Sequence, residues 1–168
     1  SNKAVGADGG AVFNNNMANV NINGNLAFLS NSAASNGGAV ANFANSVVTF
    51  TPGSAVLFEN NIASGSYGGG AVYNAGKVTI DSATFRNNTA RNGGAVYNSG
   101  SQAVFNIDNA VFESNKARTD GGALYNTGGV KVNITGNAAF SQNHAVSNGG
   151  AIYNVNNAVV ESKSGSSL

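Results

Sequence analysis

A six-residue block, Gly-Gly-Ala-[Val/Leu/Ile]-[aromatic]-Asn, recurs from Gly9, Gly37, Gly69, Gly93, Gly121 and Gly149, with Ala41 replacing the aromatic residue in the second copy. A second motif, Phe-x-x-Asn, falls once in every interval, at Phe28 to Asn31, Phe58 to Asn61, Phe85 to Asn88, Phe112 to Asn115 and Phe140 to Asn143. Successive glycine blocks are 28, 32, 24, 28 and 28 residues apart. A unit this short cannot bury its own apolar face, so units repeating at this period must stack on one another.

Aligning the units gives columns, and residues two apart on a strand share a face. Val12, Val40, Val72, Val96, Leu124 and Ile152 form an aliphatic column that should face inward. A second run supplies Ile22, Phe50, Ile80, Ile107, Ile134 and Val160, and a third supplies the five motif phenylalanines. Three strands per unit follow. The expected fold is all-β, a parallel β-helix of about six coils of ~28 residues, with turns at the corners. The glycines suit a corner that needs left-handed angles or close approach between coils. The two sets of asparagines suit corners as well, by tolerating unusual turn angles and by stacking their amides along the axis. His144 falls in a loop position equivalent to Ser32, Ile62, Thr89 and Lys116.

Residues 1–8 read as an N-terminal tail, with Ser1-Asn2 resembling a cleavage scar; 9–160 read as one repeat domain and 161–168 as a polar tail. The absence of cysteine excludes a disulfide framework and thiolate metal ligands, and the single His excludes a His-rich site. A net charge of +1 provides no basic face for nucleic acid. No apolar run approaches the ~18 residues of a membrane-spanning helix. No metal or cofactor is expected.

Four surface features compete for function. Asp81 and Asp108 form a carboxylate pair on adjacent coils, flanking the second-strand hydrophobes, and such a pair suits a polysaccharide-processing enzyme or a bound cation. The small Asn and Thr residues beside them suit an ice-binding or crystal-binding face. Arg91 and Arg118 align, with Lys116 nearby, as a small basic spot that reads as a solvated corner. The column Phe13, Tyr73, Tyr97, Tyr125 and Tyr153 alternates with the inward aliphatic column and should project outward; Tyr73, Tyr97, Tyr125 and Tyr153 are the expected partner-binding residues.

The two motifs in alternation over residues 9 to 160 resemble the polymorphic outer-membrane protein repeat of chlamydial autotransporters and related bacterial surface adhesins. The resemblance implies a right-handed β-helix passenger exported through the bacterial outer membrane. Such a passenger is secreted or held at the cell surface and serves as an adhesin or exposed surface antigen; with the repeats, the polar corners and the absence of a convergent site, the chain is expected to be non-enzymatic and to attach to a host-cell protein or glycan. The resemblance also implies adhesion roles for the tetrapeptides, here Gly93, Gly94, Ala95 and Val96, Gly121, Gly122, Ala123 and Leu124, and for Phe85, Asn88, Phe112 and Asn115. The physical reading makes these mostly structural. End-to-end self-association is a further expectation, because both ends of a solenoid present open strand edges.

Overall fold

The computed structural model describes residues 1–163. Every strand pairing in it is parallel, and three sheets run along one axis, stacked as a solenoid of about six coils. The glycine-block sheet joins Val12–Asn14, Val40–Asn42, Val72–Asn74, Val96–Ser99, Leu124–Thr127 and Ile152–Asn154. A wide nine-stranded sheet contains the second and third runs. In the two middle coils these runs fuse into ten-residue strands, Lys77–Arg86 and Val104–Glu113. The cause is local: Ile80 and Ala83 are three residues apart, whereas a Thr-Pro-Gly-Ser turn separates Phe50 from Val56 in the coil before.

The third sheet consists of two-residue strands, Lys3–Ala4, Ser32–Ala33, Ile62–Ala63, Thr89–Ala90, Lys116–Ala117 and His144–Ala145. The expected loop at His144 is therefore a strand, short because the corner on either side leaves room for only two residues. Residues 1–8 also join the repeat. Lys3 and Ala4 pair with Ser32 and Ala33, and Asn2 donates from its backbone and its amide to Asn31 Oδ1. At the other end the last strand is Val159–Ser162, and 164–168 lie outside the described residues.

Registration is set by three ladders inside the solenoid. Phe28, Phe58, Phe85, Phe112 and Phe140 stack with ring centroids 4.8 Å apart and planes within 5°. That distance equals the strand spacing, so the rings follow the backbone, each burying side-chain surface for roughly 1.5–3 kcal/mol. Beside them Asn31, Asn61, Asn88 and Asn115 each donate Nδ2 to the Oδ1 of the next coil's Asn at 2.9–3.0 Å. The Asn14, Asn42, Asn74, Asn98, Asn126 and Asn154 ladder runs the same way at 2.7–3.2 Å. These amides satisfy corner carbonyls that water cannot reach.

The expected division of labour at the corners needs correcting. The ladder asparagines do not take the left-handed angle. In Phe-x-x-Asn the residue before Asn takes it, at Ser30, Asn60, Asn87, Ser114 and Gln142, all with φ of 53–58°. This turn aims the following amide into the stack. Both glycines of the block exclude a Cβ: Gly37, Gly69, Gly93 and Gly121 have φ of 57–73° and a Cβ there would strike the carbonyl oxygen three residues on, while a Cβ at Gly38, Gly70, Gly94 or Gly122 would strike the carbonyl oxygen of the coil above.

On the outer surface Arg86 Nε meets Glu113 Oε2 at 2.8 Å and Arg86 Nη1 meets Glu59 Oε1 at 3.8 Å, so opposite charges alternate over three coils. Replacing Arg86→Glu would stack three carboxylates. The pairs are well exposed, so a loss of about 1 kcal/mol or less is expected, partly regained in molar salt. Urea melts at two ionic strengths would measure it.

Candidate functional site

The tetrapeptide residues are interior. Ala95, Val96, Ala123, Phe85, Asn88, Phe112 and Asn115 have no accessible surface, Leu124 has 1%, and Gly93, Gly94, Gly121 and Gly122 are buried beside them. Contact with a partner must come from the surfaces they support.

The aromatic column forms one such surface, and it is more continuous than its sequence suggests. Phe43, two residues past Ala41, fills the gap, its ring 5.4 Å from Phe13 and 5.2 Å from Tyr73. The run continues through Tyr97, Tyr125 and Tyr153 at 5.6, 4.8 and 5.3 Å. Ala41 itself is fully buried. Periodicity could not find Phe43, because it lies out of register with the column it completes.

Outward projection of all four tyrosines also needs correction. Tyr73, Tyr125 and Tyr153 are partly exposed, but Tyr97 is only 5% exposed. Tyr73 and Tyr125 cover its two faces, and the Tyr67 ring approaches at 6.1 Å. Burial, followed by the neighbouring phenols, pushes the Tyr97 hydroxyl far above the usual phenol range; burial also raises Tyr73 and Tyr125. Since folding favours the neutral phenols, their stabilisation is present below pH ~10 and is lost as pH rises beyond it. At neutral pH the column is an uncharged amphipathic stripe.

Tyr67 comes from an insertion. Five residues, Ser64 to Gly68, link Ala63 to Gly69, where three link Ala117 to Gly121. The loop is pinned by a Gly68–Asn92 bridge and by Asn92 Nδ2 donating to the Ser66 carbonyl at 3.4 Å. Tyr67 itself remains 59% exposed. On the other side of this corner Ser64, Gly65, Ser66, Arg91, Arg118 and Thr119 line an open depression of about 360 Å³.

A polar column precedes the glycine blocks and was not anticipated. Asn36 Nδ2 donates to Asp8 Oδ1 at 2.9 Å, Gly68 N to Asn36 Oδ1 at 3.2 Å, Asp120 N to Asn92 Oδ1 at 3.3 Å, and Asn148 Nδ2 to Asp120 Oδ1 at 2.8 Å. The signal was available as the Asp or Asn that stands before most of the Gly-Gly pairs.

Asp81 and Asp108 line an open depression of about 330 Å³ in the wide sheet. Their carboxylates are engaged in opposite axial directions. Asp81 Oδ2 accepts from Gly53 N at 2.7 Å in the preceding coil, and Asp108 Oδ1 accepts from Thr135 Oγ1 at 2.6 Å in the following one. Asp108 Oδ2 also accepts from Asn109 Nδ2 at 2.7 Å. Among the described residues no three His, Cys, Asp or Glu side chains are grouped to hold a metal ion.

A parallel solenoid with an inert, hydrogen-bonded interior and a continuous aromatic stripe belongs to the class of elongated repeat scaffolds that present a surface. Four segments, 55–75, 82–99, 109–127 and 137–155, match the Chlamydia polymorphic membrane protein repeat. The chain carries this repeat, which marks an outer-membrane or cell-surface protein of the autotransporter type. No curated protein and no solved structure matches the chain.

Proposed function

We infer that this chain is a non-enzymatic, surface-displayed segment of an adhesin that attaches to a host-cell protein or glycan. The observation that carries the reading is the aromatic column, which is continuous along the rod and partly exposed at Tyr73, Tyr125 and Tyr153. Rigid aromatic side chains supply contact area at small entropic cost, and a sheet already fixes their geometry. Repeat membership supports surface display. The opposed engagement of Asp81 and Asp108 argues against a paired acid and nucleophile there.

Tyr97 supports its neighbours from a buried position, so the informative variant leaves it intact. Changing Tyr67, Tyr125 and Tyr153 together to Ser is expected to lower attachment to cultured host cells by about tenfold or more, since three aromatic side chains are lost. Far-ultraviolet circular dichroism should stay that of the parent. Undiminished attachment by a folded triple variant would remove the tyrosine stripe from the proposed function.

A further inference from the structure

The corner built by the insertion carries a charge arrangement that the fold itself does not need. Ala90 pairs with Ala117, Arg118 N donates to the Ala90 carbonyl at 3.1 Å and Thr119 N to the Arg91 carbonyl at 2.8 Å, so Arg91 and Arg118 occupy equivalent positions on adjacent coils. Their backbones are therefore about 4.8 Å apart. Lys116 stands two residues before Arg118, between Thr89 and His144 in register. All three cations are exposed, and none forms an ion pair among the described residues.

Like charges directly opposite one another on neighbouring strands are destabilising. Beside the phenylalanine ladder charges alternate instead, with Arg86 between Glu59 and Glu113. The acids nearest in sequence do not compensate the corner: Asp120 Oδ1 is engaged by the Asn148 backbone and amide, and Glu113 by Arg86. Ser64 holds the same position as Arg91 one coil earlier, the insertion adds Ser66, and with Thr119 they line, beside the two arginines, a depression that contains no carboxylate.

We propose that this depression binds a sulfated glycan, with a sulfate ester held between the Arg91 and Arg118 guanidinium groups and sugar hydroxyls hydrogen-bonded to Ser64, Ser66 and Thr119. Guanidinium forks match the oxygens of such an ester, and an anion between two arginines turns their repulsion into attraction. Other polyanions fit poorly. A nucleic acid needs an extended row of phosphate contacts to keep its affinity at physiological salt, and an anionic membrane needs a cluster of roughly 4–8 basic residues. Three cations beside three hydroxyl side chains suit a sugar carrying discrete sulfate groups.

The inference deepens the attachment reading and rests on its surface display, but its first test needs only the purified chain. Titration with a short heparin oligosaccharide at physiological salt should give saturable binding, and the desulfated oligosaccharide should give none. Arg91→Ser with Arg118→Ser should weaken binding by at least about tenfold, as expected when charge-assisted bonds are lost. Lys77→Ser with Lys131→Ser, on the wide sheet away from the corner, should change it by no more than about twofold, as for exposed point charges. The arginine variant should melt no lower than the parent, because it loses a repulsion.

Absence of saturable heparin binding, an equal loss in the lysine variant, or equal affinity for single-stranded DNA or phosphatidylserine vesicles would overturn the proposal. A second arm separates it from the broader reading. Cells stripped enzymatically of sulfated glycans should lose most attachment of beads coated with the chain. Attachment that survives stripping sinks the glycan site and leaves the adhesin standing, whereas heparin binding without any cell attachment does the reverse.

Discussion

Replacing Asn88→Ala is expected to destabilise the solenoid by roughly 4 kcal/mol, out of a total that for ordinary domains is about 5–15 kcal/mol. The asparagine has no accessible surface. Its Oδ1 accepts both the Asn61 backbone N–H at 3.0 Å and Asn61 Nδ2 at 2.9 Å, and its Nδ2 donates to the Phe58 carbonyl and to Asn115 Oδ1, each at 3.0 Å. Alanine removes all four side-chain bonds and supplies no replacement. Water cannot enter, because the Phe ladder packs alongside. Each buried polar group left unpaired costs about 1–3 kcal/mol, and the loss falls on the two adjoining coils, since solenoid repeats communicate through nearest neighbours. Urea denaturation would measure the total, and hydrogen exchange at Asn61 N–H would locate it. Asn143→Ala, in a partly exposed member of the same ladder, should cost only about 1 kcal/mol.

Asn88→Asp keeps the shape and sharpens the test. One carboxylate oxygen would face the Phe58 carbonyl and Asn115 Oδ1, both acceptors. Burial and the two facing acceptors outweigh the Asn61 donors on the other oxygen and raise the folded-state pKa of that carboxyl above its unfolded value of about 3.9. The penalty is therefore full at pH 7 and fades as pH falls towards the unfolded value, the reverse of a carboxylate stabilised by folding. Melts at pH 7 and pH 4 should show this variant gaining on the parent in acid. An unchanged difference would mean the ladder is not sealed from water.

The columns were legible from the sequence because a parallel solenoid translates sequence period directly into spatial stacking. Val96 pairs with Leu124 and Val72, and Phe85 with Phe112 and Phe58, as the alignment of the blocks requires. What periodicity could not resolve was which of several adjacent polar residues does what at a corner. The left-handed residue is Asn87 and the ladder residue Asn88, although both are asparagines. Departures from the period were equally opaque. Phe43 completes the aromatic column from two residues out of register, and the insertion that contributes Tyr67 also walls the basic depression. Tyr97 is covered by its column neighbours Tyr73 and Tyr125 and, in addition, approached by Tyr67 from that insertion. The sites with most to offer a partner are where the repeat is broken, because the unbroken repeat is consumed by packing.

The glycine block tests that conclusion directly. Gly94→Ala is expected to cost about 3 kcal/mol or more, at the severe end for overpacking. The new methyl would collide with the Gly122 carbonyl oxygen and lie 2.6 Å from Lys116 N, both backbone atoms of the next coil. No rotamer change can relieve a backbone contact. The coils would have to part, stretching the Gly94 N to Gly121 O bond of 3.0 Å, the Ala95 N to Ala123 O bond of 3.1 Å and the Asn98 to Asn126 amide bond of 2.8 Å. Gly150 holds the same place in its block but would meet only the Asn143 carbonyl oxygen at 3.7 Å, so Gly150→Ala should be nearly neutral. Gly24→Ala isolates the other role of glycine, with open space around the methyl but φ of 82°, and should cost about 1–2 kcal/mol. If the glycine-block tetrapeptide itself contacted a partner, Gly94→Ala and Gly150→Ala would impair attachment alike. If it is the joint between coils, attachment should fall only with the folded fraction, steeply for Gly94→Ala and scarcely for Gly150→Ala, as parallel urea melts and cell-attachment assays would show.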